Sequence, residues 1–144
     1  MKIKDLMTSN VSSVQPSDSL QKAAQIMESM NVGSVPVCEG KRVVGIVTDR
    51  DIVLKAVAKG SFNSKINEVM SHQVVTCTPD TDAHEAADIM AQNQIRRLPI
   101  VDASGNLVGI CAIADLATVD IHVNEAGDAL SRISQPTQSQ NALQ

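Results

Sequence analysis

Apolar and polar positions alternate in blocks that predict short strands joined to helices. Val43, Val44, Ile46 and Val47 form a β-branched run, the composition of a strand covered on both faces. Asp49, Arg50 and Asp51 break it, and Ile52, Val53, Ala56 and Val57 resume at helical spacing. Upstream, Leu20, Ala23, Ala24, Met27 and Met30 make one stripe of an amphipathic helix, with Ser17, Asp18 and Ser19 supplying caps. Lys4–Met7 reads as a helical turn and Val11–Val14 as a short strand stopped by Pro16. Val35–Cys38 reads as a second strand, separated from the Val43 run by the polar turn Glu39–Arg42.

The same order then recurs. A shift of 63 residues places Ile3 on Ile66, Met7 on Met70, Pro16 on Pro79, Ala23-Ala24 on Ala86-Ala87 and Pro36 on Pro99. One extra residue in Asp102–Gly105 makes the shift 64, and Val44-Gly45-Ile46 then matches Val108-Gly109-Ile110, with Asp51 on Asp115. This is a tandem duplication. Asp80, Thr81 and Asp82 are the second set of caps, and Ala83, Ala86, Ala87 and Met90 the second stripe. Residues 1–60 form repeat 1 and 61–120 repeat 2, joined by the short linker Lys59–Lys65, so one globular unit is expected. In the tail, 121–144, Ala126, Ala129, Leu130 and Ile133 make the apolar face of a short helix, and Ser134–Gln144 reads as disordered or as a docking segment.

Composition narrows the function. Phe62 is the only aromatic residue, so the core is built of small aliphatics. A net charge of −4 argues against a nucleic-acid surface. No stretch is apolar for the length of a membrane span, and no signal-peptide pattern opens the chain. Cys38, Cys77 and Cys111 are odd in number and sit in apolar runs, which suits reduced core thiols in the cytoplasm. His72, Cys77 and His84 match no common zinc spacing, and phosphate-loop and dinucleotide fingerprints are absent. An enzyme is not expected.

The turn at Thr48 carries the candidate chemistry. Thr48 and Asp51 lie three residues apart at a helix start, where a hydroxyl and a carboxylate can hold a ribose and free N–H groups attract an anion. A plain helix cap explains the same two residues. The β-α-β-β-α order, the Val35-Pro36 turn and the Gly45-Ile46-Val47-Thr48-x-x-Asp51 closing motif resemble a CBS domain, named for cystathionine β-synthase. Two in tandem resemble the CBS pair, or Bateman module, over about residues 3 to 120.

That resemblance implies an α/β fold of two repeats packed through their sheets about a pseudo-two-fold axis. It also implies a regulatory module for adenine nucleotides (AMP, ADP, ATP) or S-adenosylmethionine. By analogy Thr48, Asp51 and Arg50 would hold ribose, Val11, Ser12, Ser13, Val35 and Pro36 the adenine, and Arg96 and Arg97 the phosphates. A weaker second cleft would draw on Val74, Thr76, Ile113 and Asp115, opposite Gly33 and Ser34, with Ala112 where the first repeat has Thr48. Leftover apolar helix faces, Leu116 and Val119 among them, imply a homodimer through helices of both repeats and an effector protein acted on in trans. The alternative is a constitutive dimerisation scaffold with vestigial clefts.

Overall fold

The structure is a computed structural model and describes residues 1–117 and 123–136. Helices α1 (Leu20–Met30), α2 (Asp49–Lys55), α3 (Ala83–Asn93), α4 (Ile113–Ala117) and α5 (Val123–Ile133) accompany strands β1 (Ser34–Glu39), β2 (Arg42–Thr48), β3 (Arg97–Val101) and β4 (Leu107–Ala112). The strands form two separate two-stranded sheets, β1–β2 and β3–β4. In the first, Ser34 pairs with Thr48, Val35 with Val47 and Pro36 with Ile46, antiparallel. Among the described residues no helix is long and apolar enough to cross a membrane.

Local chemistry explains the boundaries. Ser19 Oγ accepts from Lys22 N–H to start α1, and Asp82 Oδ1 accepts from His84 N–H to start α3. Both helices end on a left-handed residue, Asn31 and Gln94, each with φ near 54°. Val32 and Ile95 then donate back to Met27 and Met90, each 3.0 Å, which closes the helix end. Gly40, at φ 60°, turns the first hairpin.

The strand expected at Val11–Val14 is a single bridge. Val14 pairs with Val37, donating to Pro36 and accepting from Cys38, and Cys77 pairs with Ile100 in the second repeat. The chain cannot extend further because it turns at once: Gln15 N–H donates to Asp18 Oδ2 at 2.7 Å and Asp18 N–H returns to Gln15. That Gln15 N–H, with the Lys22 ammonium, holds the Asp18 carboxyl below the usual carboxylate range.

The described chain divides into two compact units, and these cut across the sequence repeats. The first-repeat unit comprises Asn10–Val74 and Ala103–Leu107, and the second-repeat unit Met1–Ser9, Val75–Asp102 and the chain from Val108 onward. Each repeat core is completed by the leading segment of the other repeat. Ile3 is fully buried with Met90, Leu98, Ile100 and Leu116, while Leu6 and Met7 pack on the same cluster. Ile66, Val69 and Met70 are buried with Val14, Val35, Val37 and Val47. Backbone bonds fix both leaders: Ile3 to Thr81 and Thr8 to Ile110 in one unit, Ile66 to Asp18 and Ser71 to Ile46 in the other.

The helical stripes differ between the units. Leu20, Ala23 and Met27 are buried, but Ala24 is exposed and Met30 is 45% exposed. In α3, Ala83, Ala86, Ala87, Met90 and Ala91 are all buried. The difference is α5, which packs on α3 and α4 within the second-repeat unit. Ala126 and Ala129 face inward as expected, whereas Leu130 is exposed. His84 Nδ1 meets Glu125 Oε1 at 2.7 Å, and the Gln94 amide donates to the Arg132 and Gln135 carbonyls. So α5 docks on its own chain, and the helical face of repeat 2 is covered. Val119 and residues 137–144 lie outside the described residues.

Candidate functional site

Thr48 is the last residue of β2 and leaves it extended, φ −115° and ψ 161°, so its side chain turns over the start of α2. Asp51 N–H donates to Thr48 Oγ1 and Thr48 N–H to Asp51 Oδ2, each 3.0 Å, a reciprocal capping box. Asp51 Oδ1 is ion-paired to Lys55 at 3.0 Å, and Lys55 Nζ also reaches the Val69 carbonyl. The remaining N–H groups of the turn are also taken. Asp49 N–H donates to the Gly33 carbonyl at 2.9 Å and Arg50 N–H to Asp49 Oδ1 at 2.8 Å.

The expected anion-attracting helix start is therefore not there. Gly33 and the side chains of Thr48 and Asp49 occupy its donors, and two carboxylates surround it.

One group at this turn has no partner. The Ser34 hydroxyl, directly across the ladder from Thr48, is buried and accepts or donates nothing. A buried hydroxyl without a bond costs about 1–3 kcal/mol, so a ligand atom there would be favoured. Val35 and Pro36 follow, both buried. Val11 and Ser13 are half-buried and Ser12 is exposed, on the segment that the Val14–Val37 bridge ties to β1. Thr48, Asp51, Arg50, Val11, Ser12, Ser13, Val35 and Pro36 thus share one unit.

The second repeat has half of this device. Ala112 N–H donates to Asp115 Oδ2 at 2.8 Å, but Ala112 has no hydroxyl to return the bond. Ile113 N–H donates to the Arg96 carbonyl at 2.8 Å, matching the Asp49–Gly33 bond of the first repeat. Arg96 is exposed and Arg97 half-buried at the start of β3. Arg96, Arg97, Thr76, Ile113 and Asp115 belong to the second-repeat unit, whereas Val74 belongs to the first. Sequence reasoning set Ser34 opposite the second cleft and gave Asp49 no part in a site, because neither has a fixed place in the threonine–aspartate motif and only their contacts single them out.

Other chemistry is poorly supported. The three cysteines are free and buried. Burial pushes each thiol up, Cys111 to about 12 with Asp115 and Cys77 adding to it, so a nucleophilic thiolate is disfavoured. Among the described residues no group of three His, Cys, Asp or Glu side chains could hold a metal ion. A cavity of about 220 Å³ between α3 and α5 is lined by Ala87, Asp88, Ala91, Glu125, Asp128 and Ala129. Its carboxylates on an alanine floor offer no cation to a phosphate, so no nucleotide is assigned to it.

Comparison with known proteins fits this architecture. The family model of the CBS domain matches residues 3–57 and again 66–122. The CBS domain-containing protein YhcV of Bacillus subtilis (strain 168) is 45% identical over 133 residues, which is 92% of this chain and 94% of the relative. The CBS domain pair of protein MJ0100, solved in complex with 5′-methylthioadenosine and S-adenosyl-L-methionine, superposes with a TM-score of 0.74 at 28% identity, covering 82% of this chain and 98% of that one. CBSX2, solved in complex with AMP, superposes with a TM-score of 0.73 at 25% identity, covering 85% of this chain and 98% of that one. A duplicated hairpin-and-helix unit, closed in each copy by a capped turn and matched twice by one family model, makes this chain a member of the CBS domain family with two tandem repeats.

Proposed function

We propose that the chain is a regulatory, non-catalytic module that binds an adenosyl ligand at the Thr48–Asp51 turn and signals to a protein in trans from the cytoplasm. The observation that carries this is the unpartnered, buried Ser34 hydroxyl beside that turn, in the one repeat that has both Thr48 and the aspartate. Support comes from the adenosyl ligands named for the MJ0100 pair and for CBSX2. Arg96 and Arg97 are assigned to phosphate, for which a guanidinium fork is suited. Val74, Thr76, Ile113 and Asp115 are assigned to a weaker second site. The scaffold reading has its own support, since the capping box already gives Thr48 and Asp51 protein partners.

Calorimetric titration with AMP, ADP, ATP and S-adenosylmethionine separates the two readings. Binding by the unaltered chain is expected, and silence with all four ligands leaves the scaffold. Asp51→Asn keeps an acceptor for Thr48 N–H but loses the charge, and should weaken binding about tenfold or more. Asp115→Asn should change it little, and an equal loss would overturn the asymmetry. Arg96→Ala with Arg97→Ala should weaken AMP more than adenosine.

The proposed homodimer narrows to the first-repeat unit. Val53, Leu54 and Val57 are 53%, 39% and 48% exposed on α2 and the turn after it. The segment runs from Asp49 at one end to Lys59 at the other, so an antiparallel two-fold pairing sets opposite charges together. Light scattering should give a two-chain mass that Val53→Glu with Val57→Glu reduces to one. A one-chain mass for the unaltered protein at micromolar concentration would remove the dimer.

A further inference from the structure

The charge of the Asp49 side chain has no role in the capping box, yet its carboxylate lies flat against Gly33. A β-carbon on Gly33 would stand 3.1 Å from Asp49 Oδ2, 3.4 Å from Cγ and 3.5 Å from Oδ1. The carboxylate thus fills the space a side chain at Gly33 would occupy. The backbone donors that would receive an anion here are engaged, and Arg50 is the exposed cation of the turn. The N–H groups of Thr48, Asp49, Arg50 and Asp51 are all bonded within the protein, and Lys55 is held by Asp51 and the Val69 carbonyl.

The second repeat reverses this chemistry position by position. Arg96 stands where the first repeat has Gly33, Arg97 where it has Ser34, and the apolar Ile113 where it has Asp49. The backbone underneath is the same, since Asp49 and Ile113 donate to the Gly33 and Arg96 carbonyls at 2.9 and 2.8 Å. One scaffold therefore presents a carboxylate in one repeat and two guanidiniums in the other.

We infer that Asp49 is a charge-selecting residue of the first-repeat site, favouring an adenosyl ligand whose substituent is cationic or neutral and opposing phosphate, for which Arg96 and Arg97 are the groups assigned above. The inference rests on the reading that the Thr48–Asp51 turn holds the adenosyl group, and it adds which class of 5′ substituent accompanies it. A sulfonium or ammonium group gains from a nearby carboxylate, whereas a phosphate dianion is repelled by it. Because Asp49 is exposed, the effect is screened and moderate.

Three probes of one nucleoside read this directly: S-adenosylmethionine, neutral 5′-methylthioadenosine and AMP. Titrations use the full chain carrying Asp115→Asn, so that the first-repeat site dominates. Asp49→Asn keeps the oxygen that accepts from Arg50 N–H and removes only the charge. It should lower the affinity for S-adenosylmethionine relative to 5′-methylthioadenosine about three- to tenfold, and raise that for AMP by a similar factor. Asp49→Glu, which restores the charge, should return both ratios toward the starting chain, and high salt should shrink the differences. Ratios unchanged within twofold in Asp49→Asn would overturn the role of Asp49 while leaving the adenosyl site standing. Failure of the starting chain to bind any of the three probes would instead overturn the adenosyl reading, and this inference with it.

Discussion

Ile3→Ala is expected to loosen the second-repeat unit, although Ile3 opens the first repeat in the chain. Ile3 is fully buried among Met90, Leu98, Ile100 and Leu116, and truncating an isoleucine at such a position costs about 2–5 kcal/mol. The loss should be local in hydrogen exchange. The amides of Val101, bonded to Cys77, and Ile110, bonded to Thr8, lose protection first, while Cys38, bonded to Val14, keeps more of it. Ile66→Ala should show the mirror image, because Ile66 is buried with Val14, Val35 and Val47. If Ile3→Ala exposed Cys38 as readily as Val101, the exchange of leading segments would not govern the stability of the two cores. The same packing predicts that neither repeat, cut out between residues 63 and 64, keeps a complete core.

That exchange was not legible in the sequence. Ile3, Leu6 and Met7 and their counterparts Ile66, Val69 and Met70 carry nearly the same pattern, so each leader suits either repeat equally well. Periodicity locates a buried face but not its partner. The hairpins, the capped helices and the tandem repeat were legible, because Pro36, Pro99, Ser19 and Asp82 act through their own backbone neighbours. The inward face of α5 at Ala126 and Ala129 was legible, but alanines carry too little hydrophobic signal to say which helix they meet. The turn at Thr48 was half legible. Its capping pair follows from spacing, whereas the satisfied N–H groups depend on a carbonyl from Gly33 and a side chain from Asp49 that no motif specifies.

Gly45→Ala and Gly109→Ala are expected to be among the most damaging single-methyl changes in the chain, for different reasons at equivalent positions. Both glycines lie in the Val-Gly-Ile run of β2 and β4, where a leader crosses closely. A β-carbon at Gly45 would stand 2.8 Å from the Ser71 carbonyl oxygen and 2.9 Å from Met70 Sδ. The oxygen belongs to backbone that also exchanges two hydrogen bonds with Ile46, so it cannot withdraw without breaking them. At Gly109 the nearest atom is Met7 Sδ at 2.6 Å, with the Thr8 carbonyl oxygen at 3.0 Å. A thioether can swing aside more easily than a paired backbone can shift. Overpacking of this kind costs about 1–3 kcal/mol, and more where backbone must move. Gly45→Ala should therefore be the worse of the two in urea unfolding, and Met70→Ala should not rescue it. Met7→Ala should recover part of the loss in Gly109→Ala, because it removes the closer obstacle. Equal rescue at both sites would mean that the methionines, rather than the bridged leader backbone, set the tolerance of these strands.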